Sequence, residues 1–218
     1  MFCNGDSKTN GEAKFYADIK DSINVIFDVG CRSDSEYTSF PGTVHYFDPV
    51  DEHIQQLKKQ TTANKCSYYN NFGLGDEEQE LYYYPRYQSF FNRIISCHES
   101  DDANKIRLKI NKGKDYVVAN NITTVDFLKI DTEGYELKVL QGFGDFLQHI
   151  KIIQFEYGGT FLDNNTRLFD VINFLEQHGF HKFSYLTNYG TELITDFRDH
   201  YNYCNIVCVN KQSDFVPF

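Results

Sequence analysis

Four stretches of this chain are apolar without alternation, and each runs up to a carboxylate. They are Asn24-Val25-Ile26-Phe27-Asp28-Val29-Gly30, Thr43-Val44-His45-Tyr46-Phe47-Asp48-Pro49, Val125-Asp126-Phe127-Leu128-Lys129-Ile130-Asp131 and Ile150-Lys151-Ile152-Ile153-Gln154-Phe155-Glu156. A strand with one wet face alternates, so a run that is apolar nearly throughout is covered on both faces, as in a parallel sheet. Parallel neighbours need crossover helices. Patterns for them lie at Asp51 to Gln60, Glu133 to Leu140 and Thr166 to His178, the last with Leu168, Phe169, Ile172 and Leu175 in step and Gly179 to close it. The expectation is an α/β fold built on a doubly wound, mostly parallel sheet.

The remaining segments fit that frame. Residues 1–22 read as an N-terminal arm with one short helix from Gly11 to Lys20 and no chemistry in Met1 to Asn10. Residues 23–218 read as a single domain. Ser33 to Phe40 can form a short helix, and Cys66 to Asn71 a third strand. Gln79 to Tyr84 is expected as an antiparallel excursion, and Ile106 to Ile110 with Tyr116 to Ala119 as a hairpin about Lys112-Gly113-Lys114. Phe180 to Leu186 and Tyr203 to Val209 are expected to pair antiparallel at the sheet edge.

Composition excludes several classes. The formal net charge of -10 over 218 residues argues against nucleic acid as partner, because phosphates want clustered Lys and Arg. No apolar run approaches the ~18 residues of a membrane helix, and no leader resembles a signal peptide. The six cysteines are scattered without a CxxC pair, which suits reduced thiols in a cytoplasmic compartment and gives zinc little support.

In open α/β sheets, ligands bind beyond the carboxyl ends of the strands, where Asp28, Asp48, Asp131 and Glu156 stand. A dinucleotide fold would offer G-x-G-x-x-G after its first strand. Here the loop is Gly30-Cys31-Arg32-Ser33-Asp34, with one glycine and an acid that would repel a pyrophosphate. The loop suits a cationic ligand instead, such as the methionine end of S-adenosylmethionine. Asp28 and Asp48 are spaced as in one βαβ unit with an acid on a ribose diol. Phe72-Gly73-Leu74-Gly75-Asp76 is a flat loop that can lie against a purine.

Phe27-Asp28-Val29-Gly30, Tyr46-Phe47-Asp48-Pro49, Phe72 to Asp76, Leu128-Lys129-Ile130-Asp131-Thr132-Glu133-Gly134-Tyr135-Glu136 with Val139 to Gly142, and Ile153 to Glu156 together resemble the ordered motifs of FkbM-type methyltransferases. The resemblance spans about residues 23–160 and departs from the family at Asp34. It implies a Rossmann-like class I methyltransferase fold, S-adenosylmethionine as cofactor, and methylation of a hydroxyl on a sugar in a glycan or glycosylated product. It implies cofactor contacts from Asp28, Gly30, Cys31, Asp34, Asp48, Pro49, Gly73, Leu74 and Asp131. Asp131 is the first candidate base, Glu133 the second and His98 the third. Tyr87, Arg93, Glu156 and Tyr157 are the candidate acceptor contacts. Clustered carboxylates could hold Mg²⁺ to lower the hydroxyl pKa, but Mg²⁺ is not favoured. The alternatives are a nucleotide-sugar glycosyltransferase and a non-catalytic cofactor-binding module.

Overall fold

The computed structural model describes residues 8–61, 66–86, 88–90 and 104–213. In chain order the elements are α1 (Glu12–Ile19), β1 (Val25–Val29), β2 (Thr43–Phe47), α2 (Asp51–Gln60), β3 (Cys66–Asn70), β4 (Gly73–Gly75), β5 (Gln79–Tyr83), β6 (Ile106–Lys112), α3 (Gly113–Ala119), β7 (Val125–Ile130), α4 (Glu136–Phe143), β8 (Ile150–Tyr157), α5 (Leu168–Gln177), β9 (Phe180–Thr187), β10 (Gly190–Leu193) and β11 (Cys204–Asn210). The main sheet has the order β10-β9-β11-β8-β7-β1-β2-β3. From β3 to β8 every pairing is parallel, and β11 enters antiparallel between β8 and β9. This is the doubly wound, Rossmann-like arrangement expected, with its antiparallel strands at the C-terminal side.

Strand order reverses beside β1, which has β2 on one flank and β7 on the other. The crevice above such a switch point is the default ligand site of the architecture. Two apolar layers cover the sheet. One joins Phe27, Leu128 and Ile153 to Val139 of α4 and Leu175 of α5. The other joins Ile26, Phe127 and Ile152 to Phe15 and Ile19 of α1 and Ile54 and Leu57 of α2. The N-terminal helix, expected as an appended arm, therefore closes one face of the sheet.

Two expectations fail for stated reasons. Tyr116 to Ala119 is not the second strand of a hairpin but lies in α3. β6 instead pairs β4 and β5 in a separate three-stranded sheet. The Tyr116 ring packs edge-on against Phe27, Phe47 and Phe72, and its hydroxyl meets His45 Nδ1 at 2.7 Å. That tertiary packing overrides the local β propensity of Tyr-Val-Val. Second, α4 begins at Glu136 rather than Glu133, because Glu133 (φ 56°) and Gly134 (φ 102°) make a left-handed turn first. A Cβ on Gly134 would stand 2.4 Å from the Thr160 carbonyl oxygen.

The two sheets meet where α4 crosses β4. A Cβ on Gly142 would lie 1.9 Å from the carbonyl oxygen of Gly75, a backbone atom that has nowhere to go. Gly142→Ala should cost about 1–3 kcal/mol, the range for overpacking, and lower Tm by roughly 2–4 °C per kcal/mol. Gly159→Ala, with only the Tyr201 carbonyl oxygen at 3.9 Å, should leave Tm unchanged. Equal melting curves for the two variants would refute the close crossing.

Candidate active site

A cleft of about 660 Å³, counted out through its open mouth, lies above the tips of β1, β2 and β7. Its walls include Gly30 and Arg32 after β1, and Asp48, Pro49, Val50 and His53 after β2. Gly73 and Leu74 of β4 lie on one side, and Asp131, Thr132 and Glu133 after β7 on another. Tyr83, Phe90 and Tyr135 complete it as an aromatic wall, with the Phe90 ring 5.6 Å from that of Tyr83 and 5.9 Å from that of Tyr135.

Asp48 is buried, and its carboxylate organises the adjoining loops. Oδ1 accepts from the Val50 amide at 2.8 Å and meets His53 Nδ1 at 3.1 Å, while Oδ2 accepts from the Arg32 amide at 3.0 Å. The hydrogen bond that His53 donates to Asp48 raises the His53 pKa despite its partial burial. A carboxylate has about four lone-pair directions, so these loop contacts leave about one on Oδ2 to accept from a ligand hydroxyl. Gly30 (φ 80°) owes its lack of a side chain to the protein itself, since a Cβ there would meet the Asp131 carbonyl oxygen at 1.9 Å.

Three expected cofactor contacts stand outside the cleft wall. Asp28 is buried beneath it, where Ser35 Oγ donates to Oδ2 and Oδ1 has no partner. Burial raises its pKa to about 6, against the lowering effect of Lys129 and Ser35. Cys31 is also buried, with burial pushing its thiol pKa up, and Asp34 is exposed on the outer surface of the loop. Tyr157, expected as an acceptor contact, is fully buried. Its hydroxyl accepts from the Tyr201 amide at 3.0 Å and donates to Asp199 at 3.4 Å, so it serves the core. Tyr87, Arg93 and His98 lie outside the described residues.

Beyond β7 the chain builds the most charged part of the site. The Glu136 side chain folds back so that Oε1 accepts from the Thr132 amide at 2.8 Å and its hydroxyl at 3.0 Å. This holds the turn that presents Asp131 and Glu133 to the cleft. Burial raises the Glu136 pKa to about 7. Glu156, expected as an acceptor contact, is 7% exposed at the tip of β8 and stands outside the cleft wall. Burial, then the charges of Asp131, Glu133 and Glu136, push its pKa well up, and only a hydrogen bond with Tyr203 works the other way.

Sequence reasoning missed what lies under this group. Lys129 Nζ is 3.4 Å from Asp131 Oδ2 and 3.6 Å from Glu12 Oε1 of the N-terminal helix. Glu12 in turn accepts from Gln154 Nε2 and Asn10 Nδ2, both at 2.7 Å. Burial opposes the charge of Lys129, but Asp131, Glu12 and Asp28 outweigh it and hold the ammonium protonated. Arg32 and His53 in the cleft wall were likewise unforeseen.

The strand order and the site at its switch point define a class I methyltransferase fold. The Methyltransferase FkbM domain profile matches residues 34–182, and the chain belongs to that family. It is an S-adenosylmethionine-dependent methyltransferase. The match begins after the first strand and runs through α5 into β9, a different span from that read off the motifs. Among solved structures, precorrin 8W decarboxylase from Methanobacterium thermoautotrophicum is similar at 13% identity, with 95% of this chain and 96% of that one covered and a TM-score of 0.44. A TehB-like SAM-dependent methyltransferase from Corynebacterium glutamicum is similar at 8% identity, with 91% and 96% covered and a TM-score of 0.44. A fibrillarin/Nop5p complex is similar at 10% identity, with 86% and 72% covered and a TM-score of 0.47. None of these three bears on what the chain acts upon. No curated protein resembles the sequence significantly. Among the described residues, no helix is long and apolar enough to cross a membrane.

Asp28 yields a pH prediction. Its carboxyl titrates at about 6 in the fold against 3.8 unfolded, so the folded state holds the proton more tightly. The stability this contributes is complete below pH 3.8 and is lost as pH rises through 6. At about 1.4 kcal/mol per pH unit the loss is on the order of 3 kcal/mol. Asp28→Asn should remove most of that dependence, read as urea midpoints at pH 4.5 and 7.5. Identical pH profiles for variant and wild type would rule the assignment out.

Proposed function

We propose that the chain is an O-methyltransferase whose acceptor is a hydroxyl of a carbohydrate, in a glycan or a glycosylated product. The observation that carries this reading is the pair of carboxylates, Asp131 and Glu133, lining the same cleft as Asp48 and the Gly73-Leu74 strand. S-adenosylmethionine, when bound, supplies a methyl carbon on a positively charged sulfur that departs as a neutral thioether. The residues fit such a group. Asp48 can accept from a ribose hydroxyl, Gly73 and Leu74 offer a flat side to the adenine, and the acidic rim favours a cationic sulfur over an anionic ligand. Arg32, in the same wall, can pair the methionine carboxylate.

A sugar hydroxyl is a poor nucleophile at neutral pH, so its proton must leave as the new C–O bond forms. A positioned carboxylate contributes about 10²–10⁴-fold to such a step. Asp131, with Lys129 Nζ 3.4 Å from its Oδ2 and Glu133 beside it in the wall, is placed to accept that proton. The rings of Tyr83, Phe90 and Tyr135 give the apolar face of a sugar a surface to lie on. Family membership sets the nucleotide-sugar glycosyltransferase alternative aside.

Two substitutions separate binding from chemistry. Asp48→Ala should weaken S-adenosylmethionine binding about tenfold to a hundredfold, the cost of ~1.5–3 kcal/mol for hydrogen bonds to a charged group, as measured by calorimetry. Asp131→Asn should leave that affinity near wild type and lower kcat by roughly a hundredfold or more. Mass spectrometry of a sugar panel incubated with enzyme and cofactor identifies the acceptor. Methyl transfer only to nitrogen acceptors in a mixed panel would defeat the proposal.

A further inference from the structure

We propose that Asp131 and Glu133 of the cleft wall, with Glu156 and Asn205, form a binding site for one hard divalent cation, Mg²⁺ or Mn²⁺. Carboxylate oxygens of Asp131, Glu133 and Glu156 all lie within 4.8 Å of one another. The sheet builds this cluster. Ile130 of β7 pairs Phe155 of β8, which sets Asp131 and Glu156 side by side as the next residues of neighbouring strands. Glu156 is directly opposite Asn205 of β11. Opposed residues of an antiparallel pair point to the same face, so Asp131, Glu156 and Asn205 form one row. Glu133 reaches it from the left-handed turn beyond β7.

Asn205 is the independent observation. It is 2% exposed, and its side-chain nitrogen has no hydrogen-bond partner. A buried amide nitrogen without a partner is costly, and this one belongs to the residue directly across from Glu156. An amide can present either oxygen or nitrogen by a half-turn of its terminal torsion. Its oxygen would complete a set of four oxygen donors, the set preferred by Mg²⁺ and Mn²⁺ over zinc or copper. Glu136 Oε2, 1% exposed at the residue level, is also without a partner. Lys129 balances Asp131 from below but is shared with Glu12.

The catalytic use of the site rests on the methyltransferase reading: a cation there would draw the acceptor hydroxyl toward Asp131 and ease loss of its proton. Binding of the cation does not rest on it, and the two can be tested apart. Metal-free protein titrated with Mn²⁺ and followed by the electron paramagnetic resonance of the free ion should take up one ion per chain. Glu156→Gln and Asn205→Ala should each weaken that binding about tenfold or more, with circular dichroism and Tm confirming the fold. Glu80→Gln, a remote exposed acid paired with Arg107, should leave it unchanged. Absence of stoichiometric Mn²⁺ uptake, or uptake undiminished in both Glu156→Gln and Asn205→Ala, overturns the proposal. Calorimetric titration of S-adenosylmethionine in EDTA then tells the failures apart. Cofactor binding without Mn²⁺ binding sinks only the cation site, whereas Mn²⁺ binding without cofactor binding sinks only the methyltransferase reading.

Discussion

Lys129 is what allows this protein to gather so many acids at one edge of its sheet. Its ammonium, 15% exposed at the side chain, lies among Asp131, Glu12 and Asp28. A buried ammonium is costly alone, and carboxylates crowded in low dielectric are costly alone. Together they hold. The pairing also explains why α1 belongs to the domain: Glu12 reaches over the sheet to Lys129 and Gln154, and Phe15 and Ile19 seal the apolar surface behind it. The N-terminal helix is therefore tied, through one buried cation, to the carboxylate that faces the cleft. Removing it would expose an apolar face and leave Lys129 with less counter-charge in the same step.

The framework was legible because sheet burial writes itself in long apolar runs. Val25 to Val29, Thr43 to Phe47, Val125 to Ile130 and Ile150 to Tyr157 needed only the rule that two-sided burial abolishes alternation. The helix at Asp51 to Gln60 was equally plain, opened by acids and closed by lysines. Tyr116-Val117-Val118 was not, because its helical state depends on where Phe27, Phe47 and Phe72 place their rings. No local rule carries that information.

The site was half legible for a related reason. An acid at a strand tip stands out in an apolar run, so Asp48, Asp131 and Glu156 could be named. What each touches depends on strand order. Lys129 looks like a stray charge in a strand until β7 is set between β1 and β8, which brings it into register with Asp28 and Gln154. Asn205 carries no signal until β11 inserts antiparallel beside β8, and Tyr157 looked available until its hydroxyl met Asp199 and Tyr201. Asp28 was read as a ligand contact although it lies beneath the loop it supports.

The turn after β7 shows how the fold sustains an arrangement its parts would not choose. Glu133 adopts a left-handed conformation that a non-glycine residue rarely takes, at a cost of order 1–3 kcal/mol. Gly134 continues it where the Thr160 carbonyl allows no side chain. Glu136 then spends its helix-opening position on the Thr132 amide and hydroxyl rather than on solvent, although burial raises its pKa to about 7. The Glu133 backbone and the burial of Glu136 are locally unfavourable, and each serves to hold Asp131 and Glu133 toward the cleft. A loop selected only for stability would relax both. That they coexist, over a cation shared between the sheet and the first helix, argues that placing negative charge beside the cleft is what this part of the chain is shaped to do.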